Sequence, residues 1–187
     1  MFAIHRAAGR GLLIAAAMLG SATSGGTEQP PATLAAQRCT AAEHRQFDFW
    51  IGSWTVTQGG KPAGHNRIES VLDGCALLES WSGTSGTNGH SLSFYDQATG
   101  KWHQTWVDSD GGVLNLNGSL VDGVMTLEET HRDPATGKDV RDRIRWSQVS
   151  DGVVRQVWDR ASLQGGAWEP VFDGRYEREA AAPRDPK

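Results

Sequence analysis

The chain has 187 residues and only two cysteines, Cys39 and Cys75. Two is too few for a disulfide-dense scaffold, and neither has a His or Cys beside it at metal-ligand spacing, which disfavours a zinc site. Basic residues are in the minority, 18 Lys and Arg against 22 Asp and Glu. Such a balance leaves no electrostatic footprint for nucleic acid or anionic lipid, so neither partner is expected. No apolar run approaches the roughly 20 residues that a membrane-spanning helix needs. Gly-x-Ser-x-Gly elbows, His-Glu-x-x-His zinc helices and phosphate-binding loops are all missing. Their absence removes the commonest hydrolase and nucleotide chemistries, and no cofactor is expected.

What stands at the N-terminus has the order of a secretory signal peptide. His5, Arg6 and Arg10 form a basic start, Gly11 to Leu19 an apolar run, and Gly20-Ser21-Ala22 a small-residue stretch suited to cleavage. Residues 1–22 are therefore expected to be removed and the protein to be periplasmic or secreted, with no membrane span afterwards. A retained anchor is the alternative, but it would need an apolar run about twice as long. Losing Arg6 and Arg10 would leave 16 basic residues against 22 acidic ones. Residues 23–42, rich in Ala, Thr, Gly, Gln and Pro, read as a flexible tether, and residues 180–187 as a disordered tail. Between them, residues 43–179 suffice for one domain with one core. In an oxidising compartment Cys39 and Cys75 are expected to be bonded, closing a loop that would contribute about 3–4 kcal/mol. Two unpaired thiols are the other possibility.

The body of the chain is punctuated by turn signals. Asp-Gly occurs at Asp73-Gly74, Asp110-Gly111, Asp122-Gly123, Asp151-Gly152 and Asp173-Gly174. Asp96-Gln97-Ala98-Thr99-Gly100-Lys101 and Asp133-Pro134-Ala135-Thr136-Gly137-Lys138 are near copies, each suited to a type I turn with a left-handed glycine before the next strand. Between the turns, Val, Ile, Thr, Trp, Tyr and Phe alternate with polar residues. Strands are predicted near 53–58, 64–72, 75–82, 89–95, 101–108, 112–120, 123–131, 138–148, 152–161 and 167–178. The connections are hairpin-short, which favours an up-and-down meander. Closing it into a barrel of about ten strands removes the exposed sheet edges. A helical turn is expected only at residues 41–48, before the first strand.

Phe47-Asp48-Phe49-Trp50-Ile51-Gly52-Ser53-Trp54 resembles the Gly-x-Trp signature that opens the first strand of lipocalins and other calycins. The resemblance implies that Trp54 plugs one end of the barrel. An Arg of the last strand, Arg175 or Arg178, would then pack across its ring in a cation–π contact. The longer string, continued by Leu72-Asp73-Gly74-Cys75, Glu79-x-Trp81 and Lys101-Trp102-His103-Gln104-Thr105-Trp106-Val107-Asp108, is similar to a bacterial family of secreted lipocalin-like domains without an established activity. A related ten-stranded group binds haem through a His near its C-terminal strands. No histidine follows His131 here, so that ligand is missing.

Strand parity sorts the candidate site. Trp102, Gln104, Trp106 and Asp108 share one face of the fifth strand, and Leu77, Glu79 and Trp81 share one face of the third. Trp81, Trp106 and Trp158, with Glu79, Gln104 and Asp108 beside them, would make an apolar pocket carrying a few polar groups. Arg143 or Arg145, if turned inward, would pair with Glu79 or Asp108 or hold a ligand carboxylate. The plainer reading is that the indoles pack the core and the charges face water. The histidines read as solvent-exposed, and no nucleophile stands out. Two functions of different class follow. One is a binding module for a small hydrophobic or amphipathic molecule. The other is an enzyme, an isomerase, lyase or hydrolase, working through Glu79, Asp108 or an Arg. A filled barrel serving as an interaction domain is the third possibility.

Overall fold

The computed structural model describes residues 39–180. The expected signal peptide, the tether as far as residue 38 and the tail from residue 181 lie outside the described residues. Ten antiparallel strands close into a barrel. They are β1 (Gly52–Gln58), β2 (Lys61–Val71), β3 (Ala76–Gly83), β4 (Asn88–Asp96), β5 (Lys101–Asp108), β6 (Val113–Val121), β7 (Val124–Arg132), β8 (Asp139–Ser150), β9 (Val153–Ser162) and β10 (Glu169–Arg178). Each pairs with its neighbours in sequence, and β10 returns to β1 with Val56 opposite Tyr176. The two copied turns do what their chemistry dictates. Gly100 N–H bonds Asp96 O at 2.8 Å and Gly137 N–H bonds Asp133 O at 2.7 Å. Both glycines are left-handed, with φ of 66° and 65°.

Two short 3-10 turns, Ala42–Arg45 and Asp48–Trp50, precede β1 in place of the single helical turn expected there. They carry Phe47 and Trp50 into one end of the barrel, where both are fully buried. Phe47 stacks on Trp50 and meets Trp102 and Trp146 edge-on at ring separations of 5.6 and 5.2 Å. Residues 39–42, the end of the expected tether, are tied down. Cys39 is bonded to Cys75 beside the 3-10 turn Leu72–Gly74, and the Arg45 guanidinium donates to the carbonyls of Cys39 and Gly74.

The Gly-x-Trp element has a physical explanation in this packing. Trp54 is buried, donates its indole N–H to Trp50 O at 2.9 Å, and lies under the Arg178 guanidinium at 4.3 Å. Arg178 also donates to Ile51 O at 2.7 Å. A Cβ on Gly52 would sit 2.1 Å from Arg178 Nη1, and its φ of 146° disfavours any side chain. Gly52 thus leaves the space through which Arg178 reaches Trp54. Arg175, the other candidate for that contact, is on the outer face and bonds Glu177.

The core runs along the barrel axis, from the buried aromatic cluster of Phe47, Trp50, Trp54, Trp102 and Trp146 to Leu114, Leu116, Met125, Leu127 and Ile144. Among the described residues, no helix is long and apolar enough to cross a membrane.

Candidate functional site

Beyond the aromatic plug the barrel axis is not filled. A cavity of about 230 Å³ lies there, lined by Trp81, Trp106, Trp146, Trp158, Phe172, Leu114, Ile144 and Val171, with Glu79, Gln104, Gln156, Tyr176, Thr87 and Asp108 as its polar groups. It exceeds the roughly 150 Å³ that holds a benzene molecule in an apolar protein cavity. Trp146 forms its floor while packing against Phe47 and Trp50 with the rest of its ring.

Two glycines seat the wall indoles. A Cβ on Gly89 would come 2.3 Å from the Trp106 ring, and one on Gly64 would come 2.8 Å from Trp81. Trp81 pairs across to Asn66 and Trp106 to Ser91, each partner two residues from its glycine, so each indole lies over a neighbouring strand where no side chain stands in its way. Trp106 is further fixed by its N–H bond to Asp108 Oδ2 at 3.1 Å.

Asp108 is an anchor of the β5–β6 turn. Its Oδ1 accepts from the backbone N–H of Asp110 at 3.0 Å and of Gly112 at 2.7 Å. Burial works against its charge, but the Gly112, Trp106 and Asp110 donors hold the carboxyl below the usual carboxylate range.

Glu79 is placed differently. It is buried at the inner end of the cavity, 6% exposed. Asn66 Nδ2 donates to its Oε1 at 2.7 Å and Ser91 Oγ to its Oε2 at 2.6 Å. Gln104 Nε2 in turn donates to Ser91 Oγ at 3.2 Å and Ser93 Oγ at 3.1 Å. Among the described residues, no Lys or Arg pairs with Glu79, and none lines the cavity. Burial pushes the Glu79 carboxyl up, against the opposing pull of Ser91, Asn66 and His90. Beside Glu79, Tyr176 donates its hydroxyl to Gln156 Oε1.

A second polar cluster stands beside Trp158 at the same end. The Asp142 carboxylate, fully buried, accepts from Arg160 Nε at 2.8 Å and Nη2 at 3.0 Å, from Trp158 Nε1 at 2.8 Å, and pairs with His131 Nε2 at 2.7 Å. Burial tends to raise this carboxyl, but the Arg160, Trp158 and His131 bonds outweigh it and hold it low. Glu129, His131 and Asp142 bring three potential metal-ligand atoms within 4.8 Å of one another. The guanidinium of Arg160 already occupies both Asp142 oxygens, so the cluster is built as a salt bridge. Glu129 has another task. The β6–β7 ladder is formed only over Asn117–Val121 and Val124–Glu128, and beyond it the Glu129 carboxylate takes the free Asn115 N–H at 2.7 Å.

Of the site residues expected from the sequence, Glu79, Trp81, Gln104, Trp106, Asp108 and Trp158 come together around the cavity. Arg143 and Arg145 do not. Val140, Asp142, Ile144 and Trp146 take the inward parity of β8, which turns the arginines outward. There both bond Asp159 Oδ2, at 3.5 and 2.7 Å, and Arg143 lies 4.0 Å over the Trp168 ring. Two histidines expected at the surface are also placed otherwise. His44 is buried against Tyr95, and the His131 side chain is 23% exposed beside Asp142. Sequence reasoning missed Asn66, Ser91, Ser93, Gln156, Phe172 and Tyr176. The inward parity of Ser91 and Tyr176 on their strands is the one signal that could have found them.

The sequence matches no protein-family model and no curated protein.

Proposed function

We propose that this is an exported, lipocalin-like barrel that binds a small, largely apolar molecule in its tryptophan-lined cavity. The observation that carries this reading is the unfilled 230 Å³ space itself. A barrel used only as a scaffold gains by filling its axis, because each missing contact forfeits dispersion and hydrophobic energy. Here bulky side chains fill the plugged end, and four indoles line the cavity beyond it. Mostly apolar walls with a few fixed polar groups are the usual construction of a ligand site. The Trp54–Arg178 contact supports the lipocalin-like assignment, and the Cys39–Cys75 bond suits an oxidising compartment outside the cytoplasm.

The enzyme alternative is weakened by loss of its partners. Asp108 is committed to a turn, and Arg143 and Arg145 stand outside the barrel. Glu79 alone keeps the feature the catalytic reading looked for, a buried carboxyl with no fixed ionic partner among the described residues, but the other carboxylate of the cavity, Asp108, is not free to work with it.

Intrinsic tryptophan emission should shift and saturate when the folded protein is titrated with benzyl alcohol or naphthalene. Trp106→Ala should weaken the response about tenfold, which corresponds to roughly 1.4 kcal/mol. Emission unchanged by either probe would refute binding.

A further inference from the structure

The hydrogen bonds around Glu79 all point the same way. Asn66 donates to one oxygen and Ser91 to the other, and Ser91 itself receives a hydrogen bond from Gln104. Both carboxyl oxygens are thus met by neutral groups only. Glu79 is buried and has no cation opposite it, an arrangement that is costly unless a counter-charge is supplied. Among the described residues none is supplied. The nearby arginines are already spent, Arg160 on Asp142 and Arg143 and Arg145 on Asp159 outside the barrel.

The aromatic lining agrees with Glu79. Trp81, Trp106, Trp146 and Trp158 surround the same space, and π faces attract positive charge. The indole N–H groups of Trp106 and Trp158 are turned away and held by Asp108 and Asp142. What they offer the cavity is ring rather than donor. The Arg160 guanidinium lies 5.7 Å from the Trp158 ring centre, but Asp142 and Asp133 hold it and it does not line the cavity. A buried carboxyl among aromatic faces, with no lining cation, describes the complement of a cation.

We propose that the cavity selects small organic cations, an ammonium group carried on an aryl or short alkyl body, with the charge against Glu79 and the body among the indoles. This rests on the binding reading above and names its ligand class. A free amine N–H would replace the missing partner of the carboxylate, and a quaternary ammonium would use the ring faces alone.

The test is a titration of the full-length protein at pH 7.5 with four probes of one shape: benzylamine, benzyltrimethylammonium, benzyl alcohol and benzoate. Tryptophan emission and calorimetry are the readouts. Benzylamine should bind at least tenfold more tightly than benzyl alcohol, and benzoate should bind most weakly. Glu79→Gln should bring benzylamine to within about threefold of benzyl alcohol, whereas Leu92→Ala, on the outer face of β4, should leave the ranking of the probes as it is. If the Glu79 variant does not fold, the ranking of the four probes on the unaltered chain decides alone. Benzyl alcohol or benzoate binding as tightly as benzylamine would overturn the cation proposal and leave the apolar pocket standing. No binding by any of the four would overturn both.

Discussion

Two buried carboxylates in one barrel have been given opposite electrostatic settings. Asp142 has a guanidinium, an indole N–H and an imidazole, and its carboxyl lies low despite burial. Glu79 has only neutral donors, and burial keeps its carboxyl high. The titratable groups beside Glu79 are Tyr176 on β10 and His90 on β4. Burial, then the Glu79 charge, pushes the Tyr176 phenol well above its usual range, so it stays neutral. A carboxyl raised in the folded state holds its proton more tightly there than in the unfolded chain. Its contribution to stability is then complete below the unfolded carboxylate range and is lost as pH rises through the folded value. Removing the charge should reverse that loss. Glu79→Gln is therefore expected to be more stable than the parent by roughly 1–2 kcal/mol at pH 8 and equal to it at pH 4. Urea denaturation across this range is the measurement. A variant equally destabilised at both ends would show that ionisation of Glu79 carries no stability cost.

At the scale of the strand, glycine decides where an indole can lie. Gly89 on β4 is buried beneath Trp106, and the missing Cβ is what lets the ring lie over the strand. Gly89→Ala should push Trp106 into the cavity, cost about 1–3 kcal/mol by overpacking, and weaken benzyl alcohol binding. Leu92→Ala, on the outer face of the same strand, should leave binding unchanged. Equal affinities in the two variants would mean that the ring does not need its glycine seat. The strands themselves were readable, because alternation and Asp-Gly turns mark them in local sequence. All ten lie within a few residues of their expected ranges. The cavity was only half readable, for two physical reasons. On β2 the run His65-Asn66-Arg67 is polar at both parities, so alternation could not tell the inward Asn66 from its exposed neighbours. On β8 the run Arg141-Asp142-Arg143-Ile144-Arg145 puts a charge on each face. Val140, Ile144 and Trp146 share the parity of Asp142 and mark it as the inward one, but how that charge is met shows only in its contact with Arg160 from β9.

For the molecule as a whole, closure of the sheet and closure of its end are separate achievements. The barrel is closed by backbone pairing of β1 with β10, which involves neither cysteine. The end is closed by the segment before β1, and the Cys39–Cys75 bond fastens that segment to the β2–β3 connection across 36 residues. Phe47 and Trp50 on it are fully buried, so packing also holds it. Replacing both cysteines by serine should accordingly lower stability by about 3–4 kcal/mol, chiefly by freeing the unfolded chain. The ten strands and the cavity should remain. The expected result is a lower urea midpoint with an unchanged slope and an unchanged benzyl alcohol affinity. Trp146 links the plug to the cavity, since it packs on Phe47 at 5.2 Å and also lines the cavity. Affinity falling in step with stability would therefore mean that the covalent clamp, rather than the aromatic packing, positions that ring.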